Sequence, residues 1–98
     1  MDDRVKKVFE SFEALKRLLG DRAMCYDDTL LIFDPPFEIR IMRRDRTIVF
    51  SLEGEDVAVV SERTSIVEKG YEEYVEEWLT ALSSLGFKRY LPKRLRDR

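Results

Sequence analysis

Four carboxylates, Asp27, Asp28, Asp34 and Glu38, fall within a short span, and grouped hard oxygens of this kind are what a divalent cation or a shared proton requires. A second group is basic: Arg40, Arg43, Arg44 and Arg46 cluster around one expected hairpin, and Lys88, Arg89, Lys93, Arg94, Arg96 and Arg98 crowd the C-terminus. Both basic clusters have the chemistry to contact phosphates, with Phe37 and Tyr90 available for base stacking. Cys25 is the single thiol, so neither an intrachain disulfide nor a cysteine-based zinc site can form. Histidine is absent altogether. That removes the imidazole base, the imidazole metal ligand and the Ser-His and Cys-His nucleophile pairs, leaving only carboxylate, lysine, tyrosine or cysteine chemistry.

Each of these groups has a structural reading beside the chemical one. The run Asp34…Glu38-Ile39-Arg40 resembles the carboxylate-and-lysine arrangement of metal-dependent nucleases of the restriction-enzyme type. It departs from that pattern in having Arg40 where the lysine belongs and in the short separation of its carboxylates. Turn-forming aspartates that bond their own backbone account for the same residues. Cys25, between Met24 and Tyr26, reads as a small buried hydrophobe. Tyr71, Tyr74, Trp78 and Leu82 lie at helical spacing and read as core packing before they read as a ligand cage. The arginines face a chain of net charge −2 whose acidic block, Glu53 to Glu77, repels a polyanion. An acidic helix carrying Glu68, Glu72, Glu73, Glu76 and Glu77 could instead pair with the basic tail. No cofactor or metal set is expected.

The elements that must position these residues follow from hydrophobic periodicity. Val5, Val8, Phe9, Phe12, Leu15, Leu18 and Leu19 mark one amphipathic helix over about Asp3 to Leu19, capped by Asp2 or Asp3 and closed by Gly20. Short β-favouring runs follow: Ala23 to Tyr26; Leu30 to Phe33, joined to or separated from Phe37 to Arg43 by the Asp34-Pro35-Pro36 bend; Thr47 to Glu53; and Asp56 to Arg63. Ser65 and Glu68 have capping-box spacing ahead of a second amphipathic helix through Tyr71, Tyr74, Trp78, Leu82 and Leu85, with Gly70 delaying its regular start to about Tyr71. The expected fold class is α+β: a four-stranded antiparallel meander between an N-terminal and a C-terminal helix, both packed on one sheet face. Residues 1–98 read as a single domain with 88–98 a basic C-terminal arm, a short strand or ordered tail.

Two helices on one face leave the other uncovered. Phe37, Ile39, Ile41, Ile48, Phe50 and Leu52 read as core, while the opposite side mixes Met42 and Val49 with Glu38 and Arg40, and the last strand is apolar on both sides through Val57, Ala58, Val59 and Val60. A homodimer through Met42, Val49, Val57 and Val59 is the expected cover, and the tail folding back across the face is the alternative within one chain. Asn and Gln are absent and charged residues reach 39%, a composition expected of a heat-adapted source. The start Met1-Asp2-Asp3-Arg4 lacks a signal peptide's basic opening, and runs such as Leu30 to Phe33 are far below the roughly 18 to 20 apolar residues that span a bilayer. A cytoplasmic protein with no membrane partner is expected.

The preferred role is a non-enzymatic binding or assembly module with a macromolecular partner. Behind it stand a nucleic-acid-binding protein using the hairpin and tail basic residues, and a carboxylate-based enzyme. The preferred role expects no measurable binding of mixed RNA or DNA even at low salt. Affinity that falls log-linearly as salt rises would favour the arginine reading instead.

Overall fold

The computed structural model describes residues 3–85. They form α1 (Asp3–Glu10), α2 (Phe12–Leu19), a 3-10 turn (Gly20–Arg22), and strands β1 (Ala23–Tyr26), β2 (Thr29–Asp34), β3 (Phe37–Met42), β4 (Thr47–Leu52), β5 (Glu55–Ser61) and β6 (Ser65–Val67), followed by α3 (Glu72–Ser84). The strands pair antiparallel in sequence order, β1-β2-β3-β4-β5-β6. This corrects the expected four-stranded meander between two helices: among the described residues the sheet has six strands and the helices number three.

Local chemistry explains each difference. Asp34 pairs with Phe37, so Pro35-Pro36, joined by a cis peptide bond, is a tight reversal between two strands, not a bend within one. Neither proline can donate to a ladder, and a hairpin tip asks for no donor there. The sixth strand lies where a capping box was expected. Ser61 and Thr64 close the preceding turn: the Ser61 N–H donates to the Thr64 carbonyl at 2.7 Å and the Thr64 N–H to Ser61 Oγ at 3.1 Å. Ser65 is thereby set opposite Val60, and the Glu68 N–H donates to the Val57 carbonyl at 2.9 Å instead of joining a helical cap. Gly70 at φ +101° then turns the chain into α3, with its N–H held by Glu72 Oε1 at 2.8 Å.

The expected N-terminal helix is broken at Ser11, whose φ of −105° and ψ of 17° leave the helical region. Its N–H is shared between the carbonyls of Lys7 and Val8, at 3.0 and 3.2 Å, so the ladder is bent there and not abandoned. Serine, a weak helix interior residue, offers little resistance to such a break. Gly20, at φ +51°, closes α2 with its N–H on the Lys16 carbonyl.

Side-chain alternation divides the sheet into two faces. On the helix-bearing face, Leu30, Ile32, Phe37, Ile39, Ile41, Ile48, Phe50, Ala58 and Val60 join Val5, Val8, Phe9, Phe12, Leu15 and Leu19 of the N-terminal helices and Val75, Trp78, Leu79 and Leu82 of α3 in one buried cluster. A register shift at Phe50/Ser51 inserts an extra residue in β5, which allows the adjacent Val57 and Ala58 both to enter this core. Arg4 ties α1 to α3 by a bidentate pair with Glu76, at 2.9 and 3.0 Å. Because Val57 is buried and Val59 is on the opposite face, Val57→Asp should abolish cooperative denaturant unfolding. Val59→Asp, measured at sub-micromolar chain concentration, should shift stability by no more than about 0.5 kcal/mol.

Candidate functional site

The surface with the strongest claim to function is the sheet face that the helices leave uncovered. One row of cross-strand neighbours traverses all six strands: Met24, Leu31, Arg40, Val49, Val59 and Ile66. Five of the six are apolar. Ile66 is 70% exposed, and Met24, Val59, Tyr26 and Phe33 of the same face are also exposed. A second row, Tyr26, Thr29, Met42, Thr47 and Ser61, continues the face toward one set of turns, and a third, Phe33, Glu38, Ser51 and Asp56, toward the other. Of the residues expected at a dimer interface, Met42, Val49 and Val59 therefore share this face, while Val57 belongs to the core through the bulge.

Near the middle of the face sits a polar trio. Arg40 Nη2 donates to Asp56 Oδ1 at 2.8 Å and to Ser51 Oγ at 3.1 Å, and Ser51 Oγ donates to the same carboxylate oxygen at 2.8 Å. Arg40 Nε is buried without an acceptor. Ser51 is itself buried, so the trio satisfies a hydroxyl that would otherwise be stranded between strands.

The hairpin arginines do not converge on one surface. Arg40 lies on the open face, whereas Arg43 and Arg46 reach back to the N-terminal helices. The Arg43 guanidinium lies 5.1 Å from the Phe12 ring centre and bonds Glu13, and that of Arg46 lies 5.3 Å from the Phe9 ring centre and bonds Glu62. Cation–π contact of this kind holds the β3–β4 turn against α1 and α2. Arg44 is 82% exposed and approaches Asp28 at 3.7 Å. Lys88, Arg89, Lys93, Arg94 and Arg96, with the rest of the expected arm, lie outside the described residues.

The four carboxylates are also dispersed. Asp34 points into the core, 1% exposed, where Oδ2 accepts from Tyr74 Oη at 2.6 Å and Trp78 Nε1 at 3.3 Å. Glu38 points to the opposite face, as the alternation along the β2–β3 pair requires. The nuclease-like arrangement therefore cannot assemble from Asp34 and Glu38. Asp27 and Asp28 line a cleft of about 300 Å³ at the hairpin tips together with Thr29, Met42, Arg44 and Asp45. Among the described residues no group of three or more acidic, cysteine or histidine side chains could hold a metal ion.

Cys25 is exposed, contrary to expectation, because among the described residues β1 is an edge strand whose four residues lack a neighbour on one side. Tyr74 stacks on Phe37 with ring centres 4.0 Å apart, and Trp78 and Leu82 are fully buried, so the aromatic spacing of α3 is used for packing. Sequence reasoning missed the Asp34 role; a lone Asp before two prolines reads as a turn, and only the arrival of α3 supplies its two donors.

Comparison with known proteins places the chain next. The family described as Archaeoglobi AF1636 family protein matches residues 1–94. The chain belongs to this AF1636 family. An uncharacterized protein of Archaeoglobus fulgidus is 35% identical over 94 residues, covering 96% of this chain and 100% of that protein. No solved structure matches the chain. No helix among the described residues of this AF1636 family member is long and apolar enough to cross a membrane.

The Asp34 contacts carry a stability prediction. Asp34→Ala should cost about 2–4 kcal/mol in chemical denaturation, because the buried Trp78 N–H and the half-buried Tyr74 hydroxyl lose their acceptor. Asp34→Asn, which keeps an oxygen in place, should cost about 1 kcal/mol, and equal losses in the two variants would show that packing and not acceptance is what Asp34 provides.

Proposed function

We propose that this AF1636 family protein is a single α+β domain that acts as a non-enzymatic assembly module, forming a homodimer by packing its open sheet face against that of a second copy. The observation that carries the proposal is the apolar row across the six described strands, with Ile66, Met24, Tyr26, Phe33 and Val59 exposed on a face that no described helix covers. A sheet of six strands at about 4.8 Å spacing and five to six residues at about 3.4 Å presents roughly 550 Å² of planar face. Two such faces together reach about 1,100 Å² before side-chain relief is added, close to the range of roughly 1,200–2,000 Å² typical of specific interfaces. Sheets packed face to face at about 10 Å bury such rows as a sandwich core.

The setting that fits is a heat-adapted cytoplasm. It is supported by the absence of Asn and Gln and by ion pairs that link elements distant in sequence, Arg4 to Glu76, Arg43 to Glu13 and Arg46 to Glu62. These pairs are surface pairs, worth little singly at room temperature; one joins α1 to α3, one the β3–β4 turn to α2, and one the β3–β4 turn to the β5–β6 turn.

Light scattering at micromolar concentration should give twice the mass of one chain. Leu31→Glu combined with Ile66→Lys should halve that mass while leaving the far-ultraviolet circular dichroism unchanged. A wild-type mass of one chain up to about millimolar concentration would end the proposal, because an interface of this size is expected to hold well below that.

A further inference from the structure

The open face carries its own opposite charges, and their placement defines how two copies would meet. Arg40 and Glu38 stand two residues apart on β3, one of the two central strands, and point to the same side. The Arg40 side chain is 36% exposed; both of its hydrogen bonds leave from Nη2, Nη1 bonds no described group, and the buried Nε is out of a partner's reach. Glu38 is exposed and makes no ion pair among the described residues. A guanidinium with unused donors and a carboxylate without a cation thus lie side by side in a surface that is otherwise apolar in its main row.

A closed dimer of identical faces meets about a twofold axis, so that residue i of one copy contacts residue j of the other and the reverse. For two faces in contact that axis lies in the plane between the sheets, and here it runs across the strands. With the axis at the level of Ile39, β3 runs antiparallel across its own copy and each Arg40 faces the other's Glu38. Any axis that set Arg40 against Arg40 would bury like charges, which is strongly unfavourable. Resting on the dimer proposed above, we infer that reciprocal Arg40–Glu38 pairs between two copies fix the register of the sandwich, while Asp56 and Ser51 hold each Arg40 in place from within its own chain. The partner is therefore a second copy of this chain in one orientation, and the polar centre selects it over an unrelated apolar surface.

Charge reversal on separate chains tests this. R40E gives each copy two carboxylates and E38R gives each copy two guanidinium groups at positions 38 and 40, so each protein alone should dissociate about tenfold or more readily than wild type. An equimolar mixture should form a mixed dimer, read by native mass spectrometry, with affinity restored to within about threefold of wild type. Wild-type affinity in each variant alone would overturn the pairing while leaving the dimer intact. Weakened variants that the mixture does not rescue would also overturn it, since the two residues would then act only within their own chains. A monomeric wild-type protein would sink the dimer itself, and the pairing with it. Should R40E fail to fold, E38R leaves every described Arg40 contact in place, and an E38R dimer as tight as wild type would be decisive against the pairing.

Discussion

A sheet has two faces, and the three described helices of this protein all lie on one of them. Everything distinctive about the molecule follows from that imbalance. The helix-bearing side buries a continuous cluster from Val5 to Leu82, with Trp78, Phe50 and the isoleucines of β2, β3 and β4 fully enclosed. The other side has five apolar residues in its central row, and no described helix lies above it. Transfer of apolar surface out of water, at about 25 cal/mol per Å², gives such a face a standing drive to find cover. Polar groups at its centre decide which cover is acceptable, because a charge buried without a partner costs more than the surrounding hydrophobes return.

The arginines show how position converts one residue type into several roles. Along the sequence Arg40, Arg43, Arg44 and Arg46 look like a single basic patch. In space the β3–β4 turn sends them in different directions: one into the open face, two onto the aromatic rings of α1 and α2, and one outward toward Asp28. Two of them thereby join the turn to the helices, and the electrostatic footprint of a phosphate-binding surface is divided. Asp34 illustrates the same principle with the opposite sign. Its carboxylate sits under Tyr74 and Trp78 of a helix forty residues downstream, so a residue placed to form a turn also organises the core.

Much of the architecture was legible in the residues. The helical faces of Val5 to Leu19 and Tyr71 to Leu82 announce themselves by period, because burial on one side of a regular element repeats with that element's geometry, while the run Ala23 to Tyr26 shows only in its β-favouring residues. The Glu53-Gly54 turn, with φ of +50° and +88°, is equally visible, since glycine and acidic turn residues mark tight hairpins. What was not legible is short or conditional. A three-residue strand such as β6 has no period to detect, and Ser65 and Glu68 fit a helix start as well as a strand. The break at Ser11 interrupts an otherwise sound amphipathic pattern. The bulge that brings Val57 into the core beside Ala58 depends on the register of β4, which no local rule reports.

By itself, the sequence determined the chemistry this protein lacks and the amphipathic character of its helices and strands, because residue types set what reactions and what faces are available. Only the tertiary structure decided which side chains share a face, that Asp34 and Glu38 lie on opposite sides of the sheet, and that Arg40 stands beside Glu38, which pairs with no described residue, on the face the described helices leave open. Those are questions of strand register, and register is settled by contacts between segments distant in sequence.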